Sequence, residues 1–195
     1  MAKKVFFSFH YQDVIDFRAN VVRNHGSFKL SKQDAGYYDS SMWEKAKKES
    51  ELALKRLINT GLKNTSNTCV LIGTDTYSRP WVRYEILKSF LKKNHIFGVH
   101  INSIKGKDQH TKTLGRNPFL DVGVTFSEDG KKVTLWEKIN TEWVEFTKIE
   151  NKSTFDNPYN INDDRKGEGF SLSHFYSTYD WKDDDGYNNF SNWVN

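Results

Sequence analysis

One cysteine, three prolines and no long apolar run are what this 195-residue chain offers to several whole classes of protein. Cys69, inside "TCVLIG", has no partner for an internal disulfide, and a reduced, cytoplasmic setting is the expectation. Three prolines argue against separate domains strung on linkers. No stretch reaches the roughly 18 apolar residues that a membrane span needs. The start, "MAKKVFFSFH", is basic and then apolar, but the apolar part is only "VFFSF" and no small-residue cleavage site follows. It reads as a first strand, not a secretory leader.

Other chemistries lack their residues. His95 and His100 lie five apart on an expected strand, so they point to opposite faces and cannot chelate together. "DDDGYNNFSN" resembles a calcium loop, yet aligned on Gly186 its first ligand position is Trp181 and its twelfth is Asn192. No metal site is expected. Gly73 stands alone after its strand, without the glycine spacing of a phosphate loop. Cys69 sits mid-strand in an apolar run and is a poor nucleophile, and no G-x-S-x-G elbow exists.

What is abundant is aromatic and charged. Aromatic residues make up 15% of the chain while mean hydropathy is −0.75, which suits a globular core with long polar loops. Net charge is +4. It is uneven: residues 1–120 carry +11 and residues 121–195 carry −7, with no dense basic stripe of the kind that binds nucleic acid. A basic half suits a phosphate-bearing partner, and equally suits attraction between the two halves.

The hydropathy pattern predicts β-α-(loop)-α-β-α-β. A strand at 3–9 is followed by a helix capped by Asp13, with Val14, Phe17 and Val21 as its apolar stripe and Gly26 as its stop. Residues 27–40 read as a loop. A helix then opens on a Ser41/Glu44 capping box, lines one face with Trp43, Ala46, Ser50, Ala53 and Leu57, and closes at Gly61. Strands at 67–73 and 95–101 are apolar on both faces, as central parallel strands are, and a helix at about 80–93 lies between them. The fold class is therefore α/β: an open, mainly parallel, flavodoxin-like sheet with helices on both faces. Beyond residue 103 the pattern changes. Residues 131–146 predict an antiparallel hairpin around a four-residue turn, 150–168 has no period, and "GYNNFSNWV" predicts a short docked helix. Residues 1–103 are taken as the core and 104–195 as an extension packed on it, within one compact domain.

Ligands of such sheets bind beyond the carboxyl ends of the strands. Those ends are Ser8 to His10, Gly73 to Asp75, and Asn102 to Ser103, and two short patterns stand beside them. "FFSFHYQD" (6–13) has the form F-x-S-[FY]-x-x-x-D, and "SRPWVRYE" (78–85) has the form S-x-x-W-x-x-x-E. The second puts Trp81 and Glu85 on one helical face. Glu85 is the only glutamate near the expected strand ends. Two readings are open at this point: a carboxylate beside an aromatic wall, or a core Trp81 with Glu85 simply paired to Lys88.

In order and placement the two patterns resemble the first box and active-site helix of TIR domains, over about residues 3–102. Across nearly the whole chain, "KKVFFSFHYQDVIDFRANVVRNH", "CVLIGTDTYSRPWVRYEI" and "YDWKDDDGYNNFSNWVN" resemble the TIR-like ThsB proteins of the bacterial Thoeris anti-phage defence system. The resemblance implies an enzyme that consumes NAD as substrate, with no separate cofactor, and makes a cyclic ADP-ribose-type signal after infection. It implies a ThsA-like effector as the receiver of that signal, a phage-derived trigger, and a homo-oligomer as a further possibility; neither a membrane nor nucleic acid is expected as a partner.

On the residues, the resemblance makes Glu85 catalytic and places Phe9 and His10 at the nucleotide, with His10 where a basic residue is common. Trp81 would wall the pocket. Asp39 and Ser40 could reach the same crevice, or Asp39 or Ser41 serves as a helix cap. Asp13 is read as a cap. The departures are Val82 in place of a small residue, and "SFKLSKQDAGYYD" in place of the family's proline- and glycine-containing loop.

Overall fold

The computed structural model describes residues 4–25, 45–46 and 48–194. Strands β1 (Val5–Phe9), β2 (Asn67–Ile72) and β3 (His95–His100) form a parallel sheet in that order, with Ser8 opposite Val70 and Val70 opposite Gly98. All six residues of β2 are buried, which is why its sequence shows no alternation. A fourth parallel strand comes from the C-terminal part of the chain: β9 (Thr178–Asp180) pairs with the end of β3, Gly98 opposite Thr178.

The first helical segment differs from the expected single helix. It is two short helices, α1 (Tyr11–Ile15) and α2 (Arg18–Arg23), broken at Phe17, whose φ of 66° cannot continue a helix. The break belongs to a tertiary contact. Arg18, 1% exposed, donates to the carbonyls of Ile104 and His110, and the Asp16 carbonyl accepts from the Lys107 amide. Phe17 and Val21 consequently face solvent, and Ala19 and Val22 are the residues that pack inward.

In α3 (Glu51–Leu62) the buried row is Leu54, Ile58 and Leu62, not Ala53 and Leu57. Ser50 is its N-cap, accepting from the Ala53 amide at 3.1 Å, and Gly61 lies inside the last turn instead of ending it. The capping box at Ser41 and Glu44, and Trp43, lie outside the described residues.

Helix α4 (Pro80–Leu91) sits between two sheets. On one side is the parallel sheet. On the other is an antiparallel sheet of β6 (Glu142–Glu145), β5 (Lys132–Ile139), β4 (Val122–Phe126) and β8 (Gly169–Ser171), with β7 (Thr154–Asp156) also on β5. Val82, Ile86, Leu87 and Phe90 share one core with Phe6, Val70 and Ile96 of the first sheet and Val124, Val133 and Leu135 of the second. A helix buried on more than one face has no simple amphipathic stripe. Across the seam, Arg83 of α4 donates to Glu137 at 3.1 Å and to the Lys138 carbonyl at 2.9 Å. The opposite face of the parallel sheet is covered by α2 and by α5 (Gly186–Trp193), through Ala19, Val22, Phe190 and Trp193. Phe190 stacks on Phe7, and Trp193 lies flat on Tyr179 with ring centroids 4.3 Å apart.

The hairpin closes on a tight turn. Ile139 pairs with Glu142, leaving two loop residues, Asn140 and Thr141, at φ 47° and 76°. Both need the left-handed region, which a β-branched residue tolerates poorly. Thr141→Gly is expected to stabilise the protein by about 0.5–1 kcal/mol, readable as a raised urea midpoint with an unchanged slope. Among the described residues no helix is long and apolar enough to cross a membrane.

Candidate active site

The last turns of the parallel strands and the first turns of α4 bring the site together. Strand alternation sends Ser8 to the α4 face of the sheet and Phe9 to the other face. Ser8 is fully buried, and its hydroxyl donates to Oε2 of Glu85 at 2.5 Å, across 77 residues of sequence. Glu85 stands on the second turn of α4 and is only 5% exposed. Among the described residues Ser8 is the one side chain that bonds its carboxyl. Burial raises the proton affinity of Glu85 to a pKa of about 8, against the smaller opposing effect of the Ser8 hydroxyl.

Lys88 does not pair with Glu85; its ammonium lies 3.6 Å from Glu150. Of the two readings left open by the spacing, the surface i,i+3 ion pair is thus not the one the fold adopts. A carboxyl turned into the sheet, desolvated and held by one hydroxyl, is instead an arrangement that stabilises positive charge placed against it.

Trp81 is half-buried. It packs on the core shared by α4 and the two sheets, with its ring 5.7 Å from that of Tyr84 in an edge-on contact. Phe9 packs toward the core on the other face of the parallel sheet, and the Arg23 guanidinium lies 4.8 Å from its ring centroid. Only its position at the strand end, not its side chain, is shared with Ser8. Asp39 and Ser40 lie outside the described residues.

His10 takes the N-cap position of α1 without a side-chain cap bond, and is half-buried. Burial, then the Arg79 cation, holds its imidazole below the ordinary range; Asp75 opposes and Lys112 adds to the lowering. Arg79 is also the N-cap residue of α4, with Pro80 in the first turn, and neither Arg79 nor Ser78 caps the helix through its side chain. The ends of β1 and β2 and the segment following β3 therefore meet at a cluster of His10, Asp75, Arg79 and Lys112. His10, Arg79 and Lys112, the last also bonded to Asp16, can donate to the phosphates of a dinucleotide, and the Asp75 carboxylate can accept from its ribose hydroxyls.

Asp13 corrects the sequence reading. It is not a cap but a residue of the first turn of α1, 3% exposed, whose Oδ2 has no partner among the described residues. Burial lifts its pKa to about 6, with Lys112 opposing. Its carboxyl lies directly on Gly73: a Cβ there would stand 2.3 Å from Oδ2. Gly115 presses on the other side, where a Cβ would come within 2.0 Å of the Gly73 carbonyl oxygen. Bare glycines let α1, the end of β2 and the segment after β3 close over one another. Ser8 was the residue least visible in advance. Its signal was a lone hydroxyl inside the apolar strand "VFFSF". Among the described residues, no three His, Cys, Asp or Glu side chains gather as a metal-ligand group.

Two comparisons bear on this geometry. Residues 6–105, from β1 through the segment after β3, match the family described as Thoeris protein ThsB, TIR-like domain. A relative from Bacillus cereus (strain MSX-D12), named "Putative cyclic ADP-D-ribose synthase ThsB1", is 54% identical over the full length of both chains. The matched region contains Ser8, His10, Arg79, Trp81 and Glu85, and the likeness runs on through the second sheet and α5: the chain belongs to the TIR-like ThsB family of Thoeris proteins.

Proposed function

We propose that this protein cleaves NAD at the bond between nicotinamide and ribose and converts the ADP-ribosyl part into a cyclic ADP-ribose-type signal. The observation that carries the reading is Glu85, a buried carboxyl held by Ser8 in the matched domain. The name of the Bacillus cereus relative supports the product class.

The chemistry needs little beyond that carboxylate. The bond from C1′ to the pyridinium nitrogen breaks with its electron pair passing to nitrogen, so nicotinamide leaves neutral and needs no proton. Positive charge is left on C1′ and the ring oxygen. One carboxylate in a dry site stabilises it, where an ordinary glycosidase needs two. Cyclisation follows when an atom of the same ADP-ribose attacks C1′ and releases a proton. That requires the chain of the substrate to fold back and water to be kept out. His10, as a neutral imidazole, hydrogen-bonds the substrate, and Arg79 and Lys112 attract its phosphates. Trp81 supplies a wall, and Asp39 and Ser40 contribute from their segment. NAD is substrate and no cofactor is required.

The carboxylate form does the work, so kcat/KM for the free enzyme is expected to rise with pH and level off above about 8. A flat profile from pH 6 to 9 in nicotinamide release would contradict it. In the cell we place the protein in the cytoplasm, inactive until a phage-derived trigger acts, signalling to a ThsA-like effector through its small-molecule product, with homo-oligomerisation as one way of switching. Mass spectrometry of nucleotides from infected cells tests this. Wild type should accumulate a cyclic ADP-ribose isomer after infection and Glu85→Gln should not; equal accumulation in both would sink the assignment.

A further inference from the structure

We propose that Ser8 is a positioning residue for Glu85: its hydroxyl anchors Oε2, leaving Oε1 as the carboxyl oxygen presented to the ribose. The proposal rests on Glu85 being the carboxylate of the site. Ser8 interrupts the apolar run Val5–Phe6–Phe7 and is completely buried, where a hydroxyl is unfavourable unless bonded. Its side-chain bond goes 77 residues away to Glu85, so it serves no local turn or cap. The anchor is also rigid. Ser8 stands in the row Ser8–Val70–Gly98 of the parallel sheet, and a site tied to a strand is held more closely than one tied to a loop.

Without the anchor, the glutamate side chain keeps rotational freedom about its carboxyl, and either oxygen can turn to C1′. With it, the two oxygens are inequivalent before substrate arrives. The hydroxyl donor also favours the ionised form, against the burial that opposes it.

Other charged groups around α4 are committed elsewhere. Arg83 faces Glu137, Lys88 faces Glu150, and Tyr84 bonds Asn59 of α3. On α3, Lys55 pairs with Glu51, and Arg56 is exposed. On β2, Cys69 packs on the opposite face of the sheet. On β3, His95 contacts the Trp193 carbonyl, and His100 shares Ser8's face two strands away. Among the described residues Ser8 is thus the polar group that addresses Glu85 directly.

The test is an infrared titration of the Glu85 carboxyl, isolated as the difference between each protein and its Glu85→Gln counterpart. In Ser8→Ala the midpoint should rise by about one pH unit or more, and in Ser8→Thr, which keeps the hydroxyl, it should return most of the way. In nicotinamide release near pH 7, Ser8→Ala should lose about 10- to 100-fold, mainly in kcat, with the deficit narrowing as pH rises. A folded Ser8→Ala protein whose carboxyl titrates where wild type does would overturn the proposal. Should Ser8→Ala fail to fold, Ser8→Cys carries the same titration: a weaker donor must shift the midpoint the same way by less, and no shift overturns the proposal. The titration needs no turnover. A shifted midpoint alongside full activity of Glu85→Gln would uphold the Ser8 anchor on the carboxyl while removing Glu85 from catalysis, so the two failures are told apart.

Discussion

Glu85→Gln is expected to unfold at a higher temperature than wild type at pH 8, and the gap should close as the pH falls toward 5. The sign follows from burial. The folded protein holds the Glu85 proton up to about pH 8, whereas the unfolded chain releases it near 4.5. Between those values the folded state binds more protons than the unfolded one, so stability drops as pH rises. The slope is about 1.4 kcal/mol per pH unit at most, on the order of 5 kcal/mol once Glu85 is fully ionised. Glutamine carries no charge and removes that cost. Imperfect bonding of its amide beside Ser8 offsets about half, leaving about 2 kcal/mol, or about 5 °C in Tm. Asp13, with its pKa lifted to about 6, adds a cost of the same sign between roughly pH 4 and 6, present in both proteins. Thermal unfolding of the two proteins across pH 5 to 8.5 checks the point. Parallel curves would mean that Glu85 is solvated and already ionised in the folded state.

Arg83→Ala should cost about 3 kcal/mol, among the largest losses from a single side chain outside the hydrophobic core. The Arg83 and Glu137 side chains are 13% and 8% exposed, and the guanidinium also holds the Lys138 and Tyr77 carbonyls. Truncation strands Glu137 in a site prepared for its partner. A double variant, Arg83→Met with Glu137→Leu, should recover most of the loss, because two apolar groups need no compensation there. Urea unfolding of the single and double variants decides it. Since Arg83 lies two residues before Glu85 and ties α4 to the second sheet, the single variant should also lose nicotinamide release. If the single and double variants all fall within about 0.5 kcal/mol of wild type, the seam between α4 and β5 does not hold the helix.

The elements that the sequence made legible are those whose apolar runs are long enough to declare themselves. The centres of β2 and β3, Cys69 to Ile72 and Ile96 to Val99, are apolar runs, and α4 has Pro80 in its first turn and ends within two residues of expectation. What escaped has physical causes. Three residues of β9 are too few to show a period, and their partner strand lies some 80 positions earlier. The break at Phe17 is imposed by Arg18 and Asp16 gripping the segment after β3, so the local pattern of Val14, Phe17 and Val21 pointed to the wrong face. Residues 45–46 and 48–49 are also helical, and Ser50, which the sequence pattern placed on one face of a single helix, is instead the N-cap of α3, accepting from the Ala53 amide. At the proposed site, spacing left two readings of Glu85 open and the resemblance singled it out as catalytic. Ser8 and Asp13 were not assigned as site residues, because burial and pairing across the fold, not residue type, decide what a hydroxyl or a carboxyl does.

The measurement that bears most directly on the central claim is nicotinamide release from NAD, labelled in the nicotinamide ring, by extracts of infected cells expressing wild type or Glu85→Gln at equal abundance. Wild type should release nicotinamide with a matching yield of cyclic product, and Glu85→Gln should lose at least about 100-fold, as expected when the charge that stabilises the transition state is removed. Release by Glu85→Gln at the wild-type rate would contradict the account.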